Sequence, residues 1–222
     1  ALQQRGWCPG IVSRGYGGGN GSPRPVLDNS SPADVGDEPL LLARRSGAPV
    51  WVGRHRAAAG QALLAAHPSV DVVLCDDGLQ HYRLARDVEL AVFDGRGAGN
   101  GRRLPVGPLR EPLSRLSSVD AIVCNGSPDD RLPTDVPRFD MRLQPALFYR
   151  LDAAAEDCGA ERFVGKKLHA LAGIGDPGRF FRTLESLGLD FEAHPFADHH
   201  AYTADDLAFA KGSILLMTEK DA

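Results

Sequence analysis

Short apolar runs rich in β-branched residues recur along this chain, and their spacing limits the possible folds more than any other feature. The runs at 70–75, 90–93, 121–124 and 168–172 are close to continuous rather than alternating, the pattern of strands covered on both faces. Shorter runs stand at 11–12, 50–52 and 214–217. Helical segments separate them. The segment 37–46 has Pro39 in its first turn, Leu40 to Ala43 as its apolar face and Gly47 as its stop. An Ala-rich segment follows at 54–66, and 177–187 opens on Pro177 and is followed by Gly188. Thr203 reads as the cap of one more helix, with Asp205 and Asp206 in its first turn. Strands alternating with helices predict a doubly wound, mostly parallel α/β sheet.

The segment 125–165 is punctuated by proline and weakly periodic, so the chain divides there into a core over 1–125 and a smaller α/β subdomain over 126–222. After the strand at 214–217, Thr-Glu-Lys-Asp-Ala reads as a helix beginning, and the chain starts at Ala1 without Met. Truncation is expected at both ends. With 222 residues, 43% of them hydrophobic, the chain can bury a core and is not disordered. A formal net charge of −4 argues against a nucleic-acid binder that works through bulk positive charge. The four cysteines, Cys8, Cys75, Cys124 and Cys158, are scattered without a Cys-x-x-Cys, which fits a reducing compartment better than a disulfide scaffold. No apolar run approaches the roughly 20 residues of a membrane span, and no signal peptide is visible.

In open α/β sheets ligands bind beyond the carboxyl ends of the strands. Beyond 70–75 stand Asp76 and Asp77, then Gly78, Leu79, Gln80 and His81. Paired carboxylates there can hold Mg²⁺ beside a nucleotide, or Asp77-Gly78 can simply be a turn. Beyond 11–12 comes Ser-Arg-Gly-Tyr-Gly-Gly-Gly-Asn-Gly, whose backbone N–H groups and Arg14 could meet a phosphate. It fits neither a dinucleotide fingerprint nor a P-loop, and Gly-x-x-x-x-Gly-Lys-Ser/Thr is absent from these 222 residues. Asp37 and Glu38 open a helix, where capping is the ordinary role. Asp198, His199 and His200 could ligate metal or form a base with its orienting partner. The long loop after Asp94 carries Asn100, Arg102, Arg103, Arg110 and Arg115, and reads either as an anion-binding loop or as a solvated basic surface. His55, His67, His169 and His194 are isolated, with surface or core roles.

Taken in order, several segments resemble the tetraacyldisaccharide 4′-kinases of lipid A synthesis. They are Val-Ser-Arg-Gly-Tyr-Gly-Gly at 12–18, Val-Gly-Asp-Glu-Pro at 35–39, Asp-Asp-Gly-Leu-Gln-His-Tyr-Arg-Leu-Ala-Arg at 76–86 and Gly-Asn-Gly at 99–101. Leu-Pro at 104–105, Gly-Pro-Leu-Arg-Glu at 107–111, Ala-Gly-Ile-Gly at 172–175, Asp198-His199 and Met-Thr-Glu-Lys-Asp-Ala at 217–222 complete the set. The resemblance implies a P-loop-kinase-like core that transfers the γ-phosphoryl group of ATP to the 4′-hydroxyl of a lipid disaccharide 1-phosphate. Such an enzyme works with Mg²⁺ at the cytoplasmic face of a Gram-negative inner membrane. It further implies that Asp37 is the catalytic aspartate, that His199 works with it, and that Asp76 and Asp77 lie near Mg²⁺. Arg14, Gly15, Tyr16, Gly17, Glu38, Gln80, His81, Asn100 and Arg110 would line the site by position. Family members carry an N-terminal membrane-anchoring helix and a Walker A loop upstream, so the chain is expected to be an internal fragment whose parent holds the activity. Two rivals stand beside this reading. One is a metal-dependent phosphoesterase using Asp198-His199-His200, and the other is a non-catalytic relative that binds lipid or a partner.

Overall fold

The computed structural model describes all residues except 16–20, 127–128, 145–146, 152 and 199, together with the side chains of 153–156. It divides into two compact units, Ala1–Leu143 and Gln144–Ala222. In the first unit β1 (Pro9–Ser13) is a central strand, buried along its whole length. Around it lie β2 (Arg24–Pro25), β3 (Val50–Val52) and β4 (Val72–Cys75), in the order β2-β3-β1-β4. Both β3 and β4 run parallel to β1, with Ile11 opposite Val50 on one side and Leu74 on the other. Successive side chains of a strand point to opposite faces. Accordingly Ile11 packs with Val26, Val35, Leu40, Val50 and Val52, while Val12 packs with Ala59, Leu63 and Val70. The helices α1 (Pro32–Val35), α2 (Asp37–Ser46) and α3 (Arg56–Ala66) supply much of this cover. Gly47, in the left-handed region at φ 62°, ends α2 just before β3. Because β3 runs parallel to β1, the amino end of α2 lies toward the carboxyl edge of the sheet.

A second, wholly parallel sheet in this unit has the order β5 (Leu90–Asp94), β6 (Ala121–Asn125), β7 (Arg138–Met141). In the second unit β8 (Phe148–Arg150) and β9 (Ala153–Cys158) form an antiparallel pair. A parallel sheet there orders β11 (Glu192–Pro195), β10 (Leu168–Ala172), β12 (Ile214–Met217), covered by α4 (Pro177–Ser186) through Leu184.

The parallel α/β expectation holds, with four differences of detail. The unit boundary falls within 125–165 but later than residue 125, because Asn125 pairs with Met141 and so keeps β7 in the first unit. The runs at 70–75 and 90–93 are not covered on both faces: Leu74 is 42% and Val92 64% exposed. Among the described residues each belongs to a strand with a single partner, whereas β1, β6 and β10 are flanked on both sides. The helix expected after Thr203 is a turn and a short 3₁₀ helix, Ala208–Ala210. Asp206 accepts from the Thr203 N–H at 2.9 Å and hydroxyl at 2.7 Å, so the cap forms, but the turns after it are closed by i→i+3 bonds such as Ala208 N–H on the Asp205 carbonyl at 3.2 Å and Ala210 N–H on the Leu207 carbonyl at 3.1 Å. Residues 219–221 likewise form a turn, closed by the Asp221 N–H on the Thr218 carbonyl at 3.0 Å.

Candidate active site

Three sequence-distant segments gather at the carboxyl edge of the β1 sheet. The Asp76 N–H donates to the Val12 carbonyl at 2.9 Å, and the Ser13 hydroxyl donates to Asp76 Oδ2 at 2.8 Å. Two strand ends thereby fix the first carboxylate. Asp77 turns the chain away with φ 48°, the left-handed conformation that a short polar side chain tolerates. Beyond β1, Gly15 also has positive φ, and a Cβ there would lie 2.9 Å from Val52 Cβ and 3.0 Å from the Val35 carbonyl. Only glycine lets the strand exit press against the end of α1, at the residue before Gly36 and two before Asp37. Asp37 and Glu38 occupy the first turn of α2, where the helix dipole favours negative charge, and Asp37 Oδ1 accepts from the Glu38 N–H at 3.0 Å. Tyr16 and Gly17 lie outside the described residues.

The segment after Asp77 is tied to the 107–115 loop through Glu111. Glu111 Oε1 accepts from Gln80 Nε2 at 3.0 Å, its Oε2 accepts from the Tyr82 hydroxyl, and Arg115 Nε lies 3.5 Å away. Burial pushes the Glu111 carboxyl up. Hydrogen bonds from Tyr82 and Gln80, with the charges of Arg115 and Arg86, outweigh that and hold it below the usual range. Arg110 Nη1 donates to Gln80 Oε1 at 3.2 Å and lies 3.6 Å from Asp77 Oδ2. His81 has a lowered pKa, first by burial and then by the cations Arg56 and Arg14, against the pull of Asp77. Gln80 and Arg110 thus stand beside Asp77, and His81 lies within the field of Arg56, Arg14 and Asp77.

Sequence reading missed Arg56. It is buried, donates to the Gly53 carbonyl at 3.0 Å and lies 3.5 Å from the Asp76 carbonyl, so a guanidinium supports the turn that carries both aspartates. Burial lowers its pKa, with Cys75 and Asp76 acting against the shift. Nothing in its position, at the start of an Ala-rich helix, marks it in the chain. Asn100 holds its own loop together, since its Nδ2 donates to the Val106 carbonyl at 2.9 Å and its Oδ1 accepts from the Arg102 N–H at 3.0 Å. A Cβ on Gly107 would collide with Asn100 and Arg102, so this loop is built rather than merely solvated. Arg102, Arg103, Leu104, Val106 and Arg110 line an open depression of about 440 Å³ on it.

In the second unit the Gly-Ile-Gly, Asp198 and Thr-Glu-Lys-Asp segments converge beyond β10 and β12. Asp221 Oδ1 accepts from the Gly173 N–H and the Tyr202 hydroxyl, both at 2.9 Å. Burial, with the Asp221 carboxylate, drives the Tyr202 pKa up. Lys220 Nζ pairs with Asp198 Oδ1 at 3.0 Å. His200 packs against Phe196 and Tyr202 and lies 3.3 Å from Asp206, a structural setting. His199 lies outside the described residues.

A parallel α/β sheet whose carboxyl edge gathers a glycine turn, paired carboxylates and an acidic helix start has the construction of nucleotide-dependent phosphotransferases. The sequence family of tetraacyldisaccharide-1-P 4′-kinases (LpxK) matches residues 1–222. A tetraacyldisaccharide 4′-kinase of Dechloromonas aromatica is 69% identical over 222 residues, covering 100% of this chain and 67% of that protein. One from Methylobacillus flagellatus is 51% identical over 222 residues and is covered to 65%. Among solved structures, the "apo" form of LpxK from Aquifex aeolicus in complex with ATP superposes with a TM-score of 0.79 at 28% identity, over 98% of this chain and 70% of that one. The chain belongs to the tetraacyldisaccharide 4′-kinase family and spans about two thirds of the length of these relatives. That assignment favours the kinase reading over the phosphoesterase and the non-catalytic relative.

Proposed function

We propose that this chain is the greater part of an ATP-dependent kinase that phosphorylates the 4′-hydroxyl of a tetraacyldisaccharide 1-phosphate. The observation that carries the reading is the gathering of the Arg-Gly, Gly-Asp-Glu and Asp-Asp-Gly segments at one sheet edge. Two carboxylates at a strand end are a hard oxygen donor set, so Asp76 and Asp77 fit Mg²⁺. Mg²⁺ held by Asp76 and Asp77 would neutralise charge on the phosphates of ATP, which would supply the γ-phosphoryl group. Asp37 accepts the proton of the attacking 4′-hydroxyl as the new O–P bond forms and the bond to ADP breaks. His199 tunes or orients Asp37, a role that rests on the family motif. Arg14, Gly15, Tyr16, Gly17, Glu38, Gln80, His81, Asn100 and Arg110 line the phosphate and sugar path, with Asn100 acting through its loop.

A lipid acceptor that takes its phosphoryl group from cytoplasmic ATP would meet the enzyme at the cytoplasmic face of the inner membrane. Among the described residues no helix is long and apolar enough to cross a membrane. The test is turnover of radiolabelled ATP and disaccharide 1-phosphate in detergent by the full-length protein. Asp37→Ala and His199→Ala should each lower kcat by about 10²–10⁴, and the double variant should be little worse than the poorer single one. Full activity in Asp37→Ala, or losses that multiply, would refute the pairing.

A further inference from the structure

His169 and His194 are 25 residues apart, yet the register of two parallel strands puts them together. On β11 Glu192 and His194 are two residues apart and share a face. On β10 His169 stands opposite Glu192, and Leu171 opposite His194. Its neighbours Leu168 and Ala170 join the unit's hydrophobic core, so His169 takes the other face of the sheet. His169 Nδ1 lies 3.0 Å from His194 Nε2 and 3.5 Å from Glu192 Oε2, and His194 Nε2 lies 3.8 Å from Glu192 Oε1. Among the described residues this is the group of three possible ligands whose donor atoms lie within 4.8 Å of one another.

We propose that His169, Glu192 and His194 bind one divalent transition-metal ion of the zinc class, which clamps β10 to β11. Metal bonds of about 2.0–2.2 Å in a tetrahedron set ligand atoms roughly 3.3–3.6 Å apart; the two imidazole nitrogens stand 3.0 Å apart, and one donor atom from each of the three residues fits within 4.8 Å, so a small side-chain adjustment brings them to that spacing. Two imidazole nitrogens and a carboxylate suit zinc, cobalt or nickel, not Mg²⁺. The rings are held in advance: His169 is 2% exposed, and His194 stacks on Phe209 with centroids 3.5 Å apart and planes 13° from parallel. Among the described residues Nε2 of His169 is buried with no hydrogen-bond partner, so polar anchoring of that ring acts through Nδ1. Glu192, 66% exposed, opens the fourth position and the route to solvent.

The experiment uses full-length protein stripped with EDTA and returned to millimolar Mg²⁺, which fills hard carboxylate sites. Co²⁺ should then bind at one equivalent with the visible absorption of tetrahedral coordination, and Zn²⁺ should displace it. His194→Ala and Glu192→Gln should each weaken Zn²⁺ binding at least tenfold and abolish the rise in Tm that Zn²⁺ gives the parent protein. Glu192 is exposed, so its substitution leaves folding intact and keeps the test decisive if His194→Ala unfolds. Absence of stoichiometric Co²⁺ binding, or binding that Glu192→Gln leaves unchanged, would overturn the site.

Discussion

Replacing Glu111 by glutamine keeps the shape of the side chain and removes its charge, which tests how firmly the segment after Asp77 is held. The carboxylate accepts from Gln80 and Tyr82 and pairs with Arg115, and its side chain is 18% exposed. A hydrogen bond to a charged group contributes about 1.5–3 kcal/mol, and the bond from the exposed Tyr82 falls at or below the low end. The amide keeps one acceptor but turns an NH₂ toward Gln80 or Arg115. Glu111→Gln should therefore destabilise the fold by about 2–3 kcal/mol and Tyr82→Phe by about 0.5–1 kcal/mol. Because the two groups touch, a double-mutant cycle in urea should show a coupling of about 0.5–1.5 kcal/mol. The pH dependence has a definite sign. The folded pKa of Glu111 is depressed, so its stabilisation is complete above the unfolded value of about 4.3 and is lost as pH falls through the folded value. The stability gap between parent and Glu111→Gln should be level from about pH 8 to 5 and close below about pH 4. A gap that persists unchanged to about pH 3, or losses additive within about 0.3 kcal/mol, would refute the reasoning.

Asp76→Asn and Asp77→Asn should each raise the Mg²⁺ concentration needed for half-maximal turnover, because each removes a negative charge at the strand end; coincident Mg²⁺ titrations would reduce the pair to a turn. Gly173→Ala should cost about 1–3 kcal/mol by overpacking, since its Cβ would collide with the Tyr202 hydroxyl and lie 3.1 Å from the Ala197 carbonyl. Tyr202→Phe should recover part of that loss in the Tm of the double variant. Residues 1–222 should self-associate through the exposed faces at Val73, Leu74, Leu90 and Val92. A monomer by light scattering at tens of micromolar would contradict this.

The elements legible in the chain are those whose signals are local. Helix α2 carries its acidic first turn, apolar stripe and terminal glycine within a few residues, and it spans the predicted 37–46. The strands Val50–Val52, Leu168–Ala172 and Ile214–Met217 likewise match their apolar runs. What the runs do not reveal is a strand's place in its sheet. Val72–Cys75 has the composition of a covered strand, yet it has one partner and two exposed residues, because coverage depends on neighbours distant in sequence. Strand β7, Arg-Phe-Asp-Met, is short and mixed in polarity, and pairing with β6 rather than propensity makes it a strand.

The candidate site divides along the same line. Asp76 and Asp77 are visible because strand end, paired charge and turn glycine are adjacent, whereas the buried Arg56 beneath them is not, since only the crossing of α3 past the end of β4 gives it a role. Lys220 and Asp221 sit within a recognisable motif that by itself suggests no role for either. Their contacts to Asp198, Gly173 and Tyr202 show the motif holding together the loops beyond β10 and β12. His169 and His194 look isolated in the chain because parallel pairing joins residues a whole crossover apart, with no short-range spacing to betray it. Groups that act in adjacent positions leave a pattern in the chain; groups brought together by parallel register leave none, and that is where ligand chemistry in such folds most easily goes unseen.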